Sequence, residues 1–124
     1  MEWRFRSDQP IYSQLVEQIK LGIVSGNFRP GERLASVRDM AAEAGVNPNT
    51  MQRALQELER EGMVYSQRTA GRFVTEDMNV IDRAKRQFAG EQIHHFLEAM
   101  GRLGYDRAEI LALLEGGEKE HADS

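Results

Sequence analysis

The residues in this sequence best suited to specific chemistry are amide and guanidinium side chains on one predicted helix. The run Asn47–Gly62 begins with an asparagine cap and a proline, and it ends in a glycine. At 100° per residue, one face is apolar, with Met51, Ala54, Leu55 and Leu58. Because amides pair with adenine and arginine pairs with guanine, the opposite face predicts base recognition in DNA. That outward face carries Asn49, Gln52, Arg53, Gln56 and Arg60.

The charge of the chain argues mildly against nucleic-acid binding. The 124 residues carry a net charge of −4. Residues 1–78 hold ten Arg/Lys against eleven Asp/Glu, and residues 79–124 hold six against nine, so both parts are acidic. DNA binding must therefore depend on where the arginines lie. The arginines of the predicted DNA-binding region are Arg29, Arg33, Arg38, Arg53, Arg60, Arg68 and Arg72.

The elements around this helix follow the order expected of a winged helix-turn-helix. Apolar spacing predicts a first helix over about 10–25, with Asp8 as its cap. Ser36 caps a second helix that ends at Gly45. Two short β-like runs between residues 64 and 74 flank a basic tip and predict a hairpin wing. In such a domain the helix that follows the turn enters the DNA major groove.

The C-terminal part predicts two helices with more apolar surface than they can bury by themselves. Its apolar face turns by roughly 140° after Gly90, which indicates either one helix with two contact faces or a kink. Asp106 and Glu109 form a capping box before a last helix that is apolar almost all round. We expect part of this surface to pair with a second copy in an isologous homodimer. The expected dimer residues are Ile93, Phe96, Leu97, Met100, Ile110, Leu111, Leu113 and Leu114.

The segment Gly26–Ala41 resembles a pattern of the GntR family of bacterial transcription regulators, Gly-x-x-x-Pro-Gly-x-x-Leu-Pro-Ser-x-Arg-x-Leu-Ala. Ala35 replaces its second proline and Met40 its second leucine. Residues 46–50 and 54–62 resemble the YtrA-type subfamily, as does the short C-terminal part. The resemblance covers about residues 8–75 and implies a DNA-binding repressor, often one that controls transporter genes.

The resemblance also implies which residues contact DNA. The wing departs from the family pattern Gly-x-Gly-Thr, because Thr69 replaces the first glycine and Arg72 replaces the threonine. Arg72 thereby adds a candidate phosphate or minor-groove contact. The implied contacts are Ser36, Arg38, Asn47, Asn49, Thr50, Gln52, Arg53, Arg68 and Arg72.

Other classes of function find less support in the sequence. His94 and His95 lie near Glu91 and Glu98, but neighbouring helical positions point about 100° apart, so we expect no metal site. The sequence has no nucleophile–base pair and no phosphate-binding glycine loop, which predicts neither an enzyme nor a cofactor. It has no cysteine and no long apolar segment, so we expect a cytoplasmic protein without membrane contact.

The expected fold is mainly α with a small β-hairpin wing. A winged helix-turn-helix DNA-binding domain spans 1–77, a two-helix dimerisation appendage spans 78–116, and a disordered tail spans 117–124. The expected partners are a double-stranded DNA operator and a second copy. One alternative is a winged-helix protein-interaction module, although such a surface more often exposes apolar residues. Another is a regulator whose small-molecule effector binds between the C-terminal helices and the winged domain.

Overall fold

The computed structural model describes the backbone of residues 1–123 and the side chains of residues 1–116. In chain order the elements are α1 (Ile11–Val24), α2 (Val37–Ala44), α3 (Pro48–Arg60), β1 (Val64–Gln67), β2 (Gly71–Val74), α4 (Met78–Arg102) and α5 (Arg107–Asp123). The chain divides into two compact units, Met1–Arg86 and Gln87–Ser124. The predicted fold class, mainly α with a β-hairpin wing, is confirmed.

The caps predicted for the two helices of the helix-turn-helix are confirmed. Ser36 Oγ accepts a hydrogen bond from the Asp39 N–H at 3.1 Å, at the start of α2. Asn47 Oδ1 accepts one from the Asn49 N–H at 2.8 Å, at the start of α3. Gly45 ends α2 with a φ of 71°, which glycine adopts without a Cβ clash. Hydrogen bonds over two or three residues thus fix the start of each helix, and Gly45 begins the turn between them.

The start of α1 differs from the prediction. Pro10 occupies the N-cap position without a side-chain cap, and Asp8 Oδ2 instead accepts a hydrogen bond from Arg6 Nη2 at 2.9 Å. The chain before α1 is held by Gln14, whose side-chain amide bonds the backbone N–H of Arg6 at 2.7 Å and its carbonyl at 2.8 Å. Gln14 is buried, so both its polar ends are satisfied by this segment.

The core of the first unit joins the three N-terminal helices, the hairpin and the first turns of α4. Leu15, Leu55 and Val74 are among its fully buried side chains. Ile81 and Ala84 belong to the same core, because they share one face of α4 at helical spacing. The compact unit therefore extends beyond the boundary expected at residue 77.

The wing is an antiparallel hairpin in which Ser66 lies opposite Arg72. The chain before α2 also pairs with this hairpin, which the sequence did not indicate. The Leu34 N–H donates to the Arg72 carbonyl, and the Val74 N–H donates to the Glu32 carbonyl, each at 2.9 Å. These backbone bonds attach β2 to the segment before α2, and they fix the backbone position from which the side chain of Arg72 extends.

Thr69 at the wing tip has a φ of 68°, in the left-handed region that costs an L-residue about 1–2 kcal/mol. It stands where the family pattern has glycine. We expect Thr69→Gly to raise the free energy of unfolding by about 0.5–1 kcal/mol, because the strain relieved exceeds the added entropy of the unfolded chain. Ala70→Gly is the control, since the φ of Ala70 is not positive and that change should only destabilise. Denaturant unfolding measures both, and equal destabilisation would contradict the prediction.

In the second unit, α4 runs without interruption through Gly90. The capping box of α5 is confirmed, since the Asp106 N–H donates to Glu109 Oε1 at 3.0 Å and the Glu109 N–H to Asp106 Oδ1 at 2.9 Å. Ile110 is only 5% exposed in a single chain, so it is buried within one copy and is not available to a partner. The disordered tail expected over 117–124 falls on residues whose side chains lie outside the described part of the chain.

The other expected dimer residues are accessible in one copy. Met100 is half-buried. The remaining six are 37–58% exposed, and they are Ile93, Phe96, Leu97, Leu111, Leu113 and Leu114. Among the residues that the structure describes, no helix is both long enough and apolar enough to cross a lipid bilayer.

Candidate nucleic-acid interface

The outward face of α3 is polar over its whole length, as its helical spacing predicts. Asn49 and Arg53 are exposed, while Thr50 and Gln52 are half-buried. Gln56, one turn beyond Gln52, is also exposed, although it was not among the predicted contacts. The same 3.6-residue spacing that indicated Asn49 and Arg53 could have identified it. The apolar stripe packs beneath this face, with Met51, Ala54, Leu55 and Leu58 at most 1% exposed.

Arg53 is positioned by an aromatic ring of α1. Its guanidinium carbon lies 4.6 Å from the centroid of the Tyr12 ring, in a cation–π arrangement. Such a contact contributes about 0.5–1 kcal/mol at an exposed site, and here it also restricts the rotamers of a long side chain. By its helical spacing Tyr12 belongs to the apolar face of α1. Nothing in the local pattern predicts that it contacts the recognition helix.

Arg72 is bonded to α3. Its Nε donates to Glu59 Oε1 at 2.6 Å, and its Nη1 donates to Gln52 Oε1 at 3.4 Å. The Ser66 hydroxyl, across the hairpin, donates to the same oxygen of Glu59. The side chain of Arg72 is 19% exposed and that of Glu59 is 30% exposed. These contacts connect the wing to the recognition helix.

The charge of Arg72 is balanced by Glu59. Burial raises the pKa of the Glu59 carboxyl, but hydrogen bonds from Ser66 and Arg72 outweigh that effect and hold the pKa below its usual value. Arg60 is balanced in a similar way by Glu57, one turn earlier. Its hydrogen bond is the main cause that lowers the pKa of Glu57, and the same bond raises the pKa of Arg60. Two arginines near the recognition face are thus neutralised.

Three other arginines have no carboxylate partner among the described side chains. Among the described side chains, Arg38, Arg53 and Arg68 take part in no ion pair with a carboxylate, and all three are exposed. They belong to α2, α3 and the tip of the wing, the three elements that approach DNA in winged helix-turn-helix domains. The arginines without a carboxylate partner therefore include one on each of these elements.

A small hollow lies between the start of α2 and β2. Its volume is about 170 Å³, and its lining includes Ser36, Arg33, Gly71 and Arg72. Free N–H groups at the start of a helix favour an anion, and Arg33 adds a positive charge at the same place. This recess suits a phosphate oxygen of a nucleic-acid backbone.

The histidine pair of α4 makes a local contact. His94 Nε2 lies 3.0 Å from Glu98 Oε1, one helical turn away. Within the described part of the chain, no three side chains of the metal-binding types come together.

Comparison with known proteins identifies a family whose match lies within the first unit. The family of "Bacterial regulatory proteins, gntR family" matches residues 11–74, from α1 to the end of β2. The chain belongs to the GntR family. The predicted family is therefore confirmed, and over most of its length this GntR chain is similar to proteins named as HTH-type transcriptional regulators.

Two proteins of Bacillus subtilis (strain 168) resemble this GntR chain almost from end to end. The HTH-type transcriptional regulator YhcF is 38% identical over 121 residues, which cover 94% of this chain and 100% of YhcF. The HTH-type transcriptional repressor YtrA is 34% identical over 122 residues, which cover 92% of this chain and 94% of YtrA. The resemblance to the YtrA type thus extends beyond the winged domain.

Two solved structures share the fold. A GntR family transcriptional regulator from Listeria monocytogenes is 36% identical with a TM-score of 0.82, covering 90% of this chain and 98% of that chain. AraR(DBD) in complex with operator ORX1 is 26% identical with a TM-score of 0.55, covering 60% of this chain and 96% of that chain. This GntR chain is therefore a winged helix-turn-helix transcription regulator.

Proposed function

We propose that this GntR regulator binds a near-palindromic DNA operator as a homodimer and represses transcription by occupying a promoter. The observation that carries the proposal is the arrangement of arginine charge. Arg60 and Arg72 are ion-paired with glutamates, whereas Arg38, Arg53 and Arg68 are exposed and have no carboxylate partner among the side chains of residues 1–116. On a chain of net charge −4, these positions offer the cations that phosphates and guanine can engage.

The elements then have distinct parts in binding. In the proposed complex α3 enters the major groove, where Arg53 and Gln52 meet base edges. Arg38 on α2 contacts a phosphate, and Arg68 contacts the backbone or the minor groove beside the wing. A DNA contact by Arg72 stays a prediction from the sequence. The full set of proposed contacts is Ser36, Arg38, Asn47, Asn49, Thr50, Gln52, Arg53 and Arg68.

The rest of the molecule is consistent with this proposal. We keep the winged domain as the DNA-binding part and the helices beyond it as the dimerisation part. YtrA of B. subtilis is named a transcriptional repressor, and AraR(DBD) is bound to an operator, which supports repression through an operator here. We propose a cytoplasmic, non-enzymatic protein that needs no cofactor. A small-molecule effector stays a prediction from the sequence.

Selection of bound duplexes from a random pool tests the proposed function. We expect full-length protein to enrich two inverted half-sites whose centres lie about 10 base pairs, or a multiple of that, apart. The matched control replaces Arg38, Arg53 and Arg68 together by glutamine, which should abolish enrichment. Failure of the wild-type protein to enrich any sequence would refute the proposal and favour the protein-interaction module. Enrichment of a single unrepeated site would refute the two-fold arrangement.

Replacing Arg38 by alanine should weaken binding to every duplex alike. Loss of one phosphate contact reduces the slope of log affinity against log salt by about 0.9, with no change in sequence preference. Arg60→Ala is the matched control, because Glu57 already balances that guanidinium and its loss should leave the salt slope unchanged. Titration of operator and random duplex at several salt concentrations measures both slopes. Equal slopes for Arg38→Ala and wild type would contradict the phosphate contact.

A further inference from the structure

We propose that Arg72 is a specificity-determining residue, which sets the base preference of the recognition helix by holding the side-chain oxygen of Gln52 toward the wing. The inference rests on the proposed function, because it requires α3 to lie in the major groove. Arg72 then acts on DNA recognition through Gln52.

Arg72 is held at three points: its backbone carbonyl, its Nε and its Nη1. Its backbone carbonyl accepts the Leu34 N–H at 2.9 Å, which anchors the strand. Its Nε donates to Glu59 Oε1 at 2.6 Å, and Ser66 donates to the same carboxylate oxygen. With Nε held in this way, the planar guanidinium directs Nη1 at Gln52 Oε1, 3.4 Å away.

The chemistry of the two groups decides how the amide of Gln52 is oriented. A guanidinium has only N–H donors, so the Gln52 atom that faces Arg72 must be its oxygen. The amide oxygen and nitrogen point in different directions from one carbon. An oxygen directed at the wing therefore leaves the NH₂ group as the part of Gln52 that is offered to DNA.

This orientation changes which base Gln52 can recognise. Bidentate pairing with adenine needs both ends of the amide, with the oxygen accepting from N6 and the nitrogen donating to N7. A Gln52 that presents only donors instead suits the acceptors O6 and N7 of guanine or O4 of thymine. Arg72 therefore disfavours adenine at the base that Gln52 contacts.

Only an arginine at position 72 has both the length and the donor geometry to contact Glu59 and Gln52 together. The family pattern has threonine at this position, and its hydroxyl is too short to reach across from β2 to α3. Lysine would retain a positive charge beside Glu59 but lacks the rigid fork that directs a second donor at Gln52. The two ends of the Arg72 guanidinium are therefore both needed.

The test compares base preferences of full-length variants. Random duplexes are first selected with wild-type protein, and every base pair of the enriched half-site is then changed to each alternative. The pair contacted by Gln52 is the one whose preference disappears in Gln52→Ala. We expect wild type to prefer guanine or thymine there, and Arg72→Lys to shift the preference toward adenine by about tenfold. Arg60→Lys is the matched control and should leave the preference unchanged, because Arg60 is ion-paired with Glu57 and is not one of the proposed DNA contacts.

The possible outcomes distinguish a failure of this inference from a failure of the proposed function. If wild type binds no sequence specifically, both fail. If wild type prefers adenine at that pair, or if Arg72→Lys weakens all duplexes equally without a shift, only the inference fails. A shift that persists when Arg72→Lys is combined with Gln52→Ala also overturns it. Arg72→Thr, the residue of the family pattern, repeats the test if the lysine variant melts below the assay temperature.

Discussion

Replacement of Arg53 by alanine is expected to lower affinity for the selected operator by about 1–3 kcal/mol, which is about 5- to 150-fold. A guanidinium that pairs two acceptors of guanine contributes in this range, and loss of the pair leaves the base edge unsatisfied. Affinity for random duplex should fall less, because only one positive charge is lost. Titration of both duplexes at one salt concentration measures the difference.

Two further variants separate the contributions that the planar guanidinium and the Tyr12 ring make to operator affinity. Arg53→Lys keeps the charge but not the planar fork, so it should retain affinity for random duplex while losing the operator preference. Tyr12→Leu removes the ring that lies 4.6 Å from the guanidinium, and we expect a smaller loss that disappears in the Arg53→Ala background. Thermal unfolding controls for stability, since the stack contributes only about 0.5–1 kcal/mol. Operator preference undiminished in Arg53→Ala would show that Arg53 reads no base.

The parts of the fold that the sequence predicts well depend on local interactions. Ser36 and Asn47 cap helices by hydrogen bonds to N–H groups two or three residues away, and Gly45 adopts a conformation that glycine favours. Helical spacing alone separates the buried stripe of α3 from its polar face. These features require no knowledge of distant residues, so a single sequence is sufficient to predict them.

The features that escaped prediction depend on contacts between distant residues. Arg72 looked like a candidate DNA contact, and only the packing of β2 beside α3 reveals that Glu59 binds it. The contact between Tyr12 and Arg53 joins separate helices in the same way. Ile110 was predicted to lie in the dimer interface but is buried within one copy. Because its helix is apolar almost all round, the sequence does not reveal which side packs within the chain.

The exposed apolar side chains of the C-terminal helices predict that the protein forms a homodimer. A single chain leaves large apolar side chains in water there, including Ile93 at 58%, Leu111 at 53% and Leu114 at 51% exposed. Full burial of such a side chain contributes roughly 1.5–3 kcal/mol, so several of them together favour association strongly. We expect a homodimer at micromolar concentration, in which these residues pack against their equivalents. Light scattering measures its mass.

A charge placed on this surface should separate the copies without disturbing the winged domain. Leu97→Asp introduces a carboxylate that cannot be buried without a partner, so we expect a monomer. Gln92→Asp adds the same charge at an exposed polar position of α4 and should leave the dimer intact. Truncation after Arg86 is a second route. A cut after Asp77 is unsuitable because it removes Ile81 and Ala84 from the core of the first unit.

The monomeric variants should lose operator affinity far more than any change of a single contact. In a dimer, binding of one half-site holds the second recognition helix near its own half-site, and such linkage raises affinity by about 10²–10⁴-fold. Leu97→Asp should therefore bind the full operator that much more weakly, yet bind an isolated half-site as well as wild type does. A monomeric wild-type protein would contradict this prediction, and so would a monomeric Leu97→Asp with undiminished operator affinity. Because α3 is unchanged in the variant, equal half-site binding assigns the loss to assembly and not to recognition.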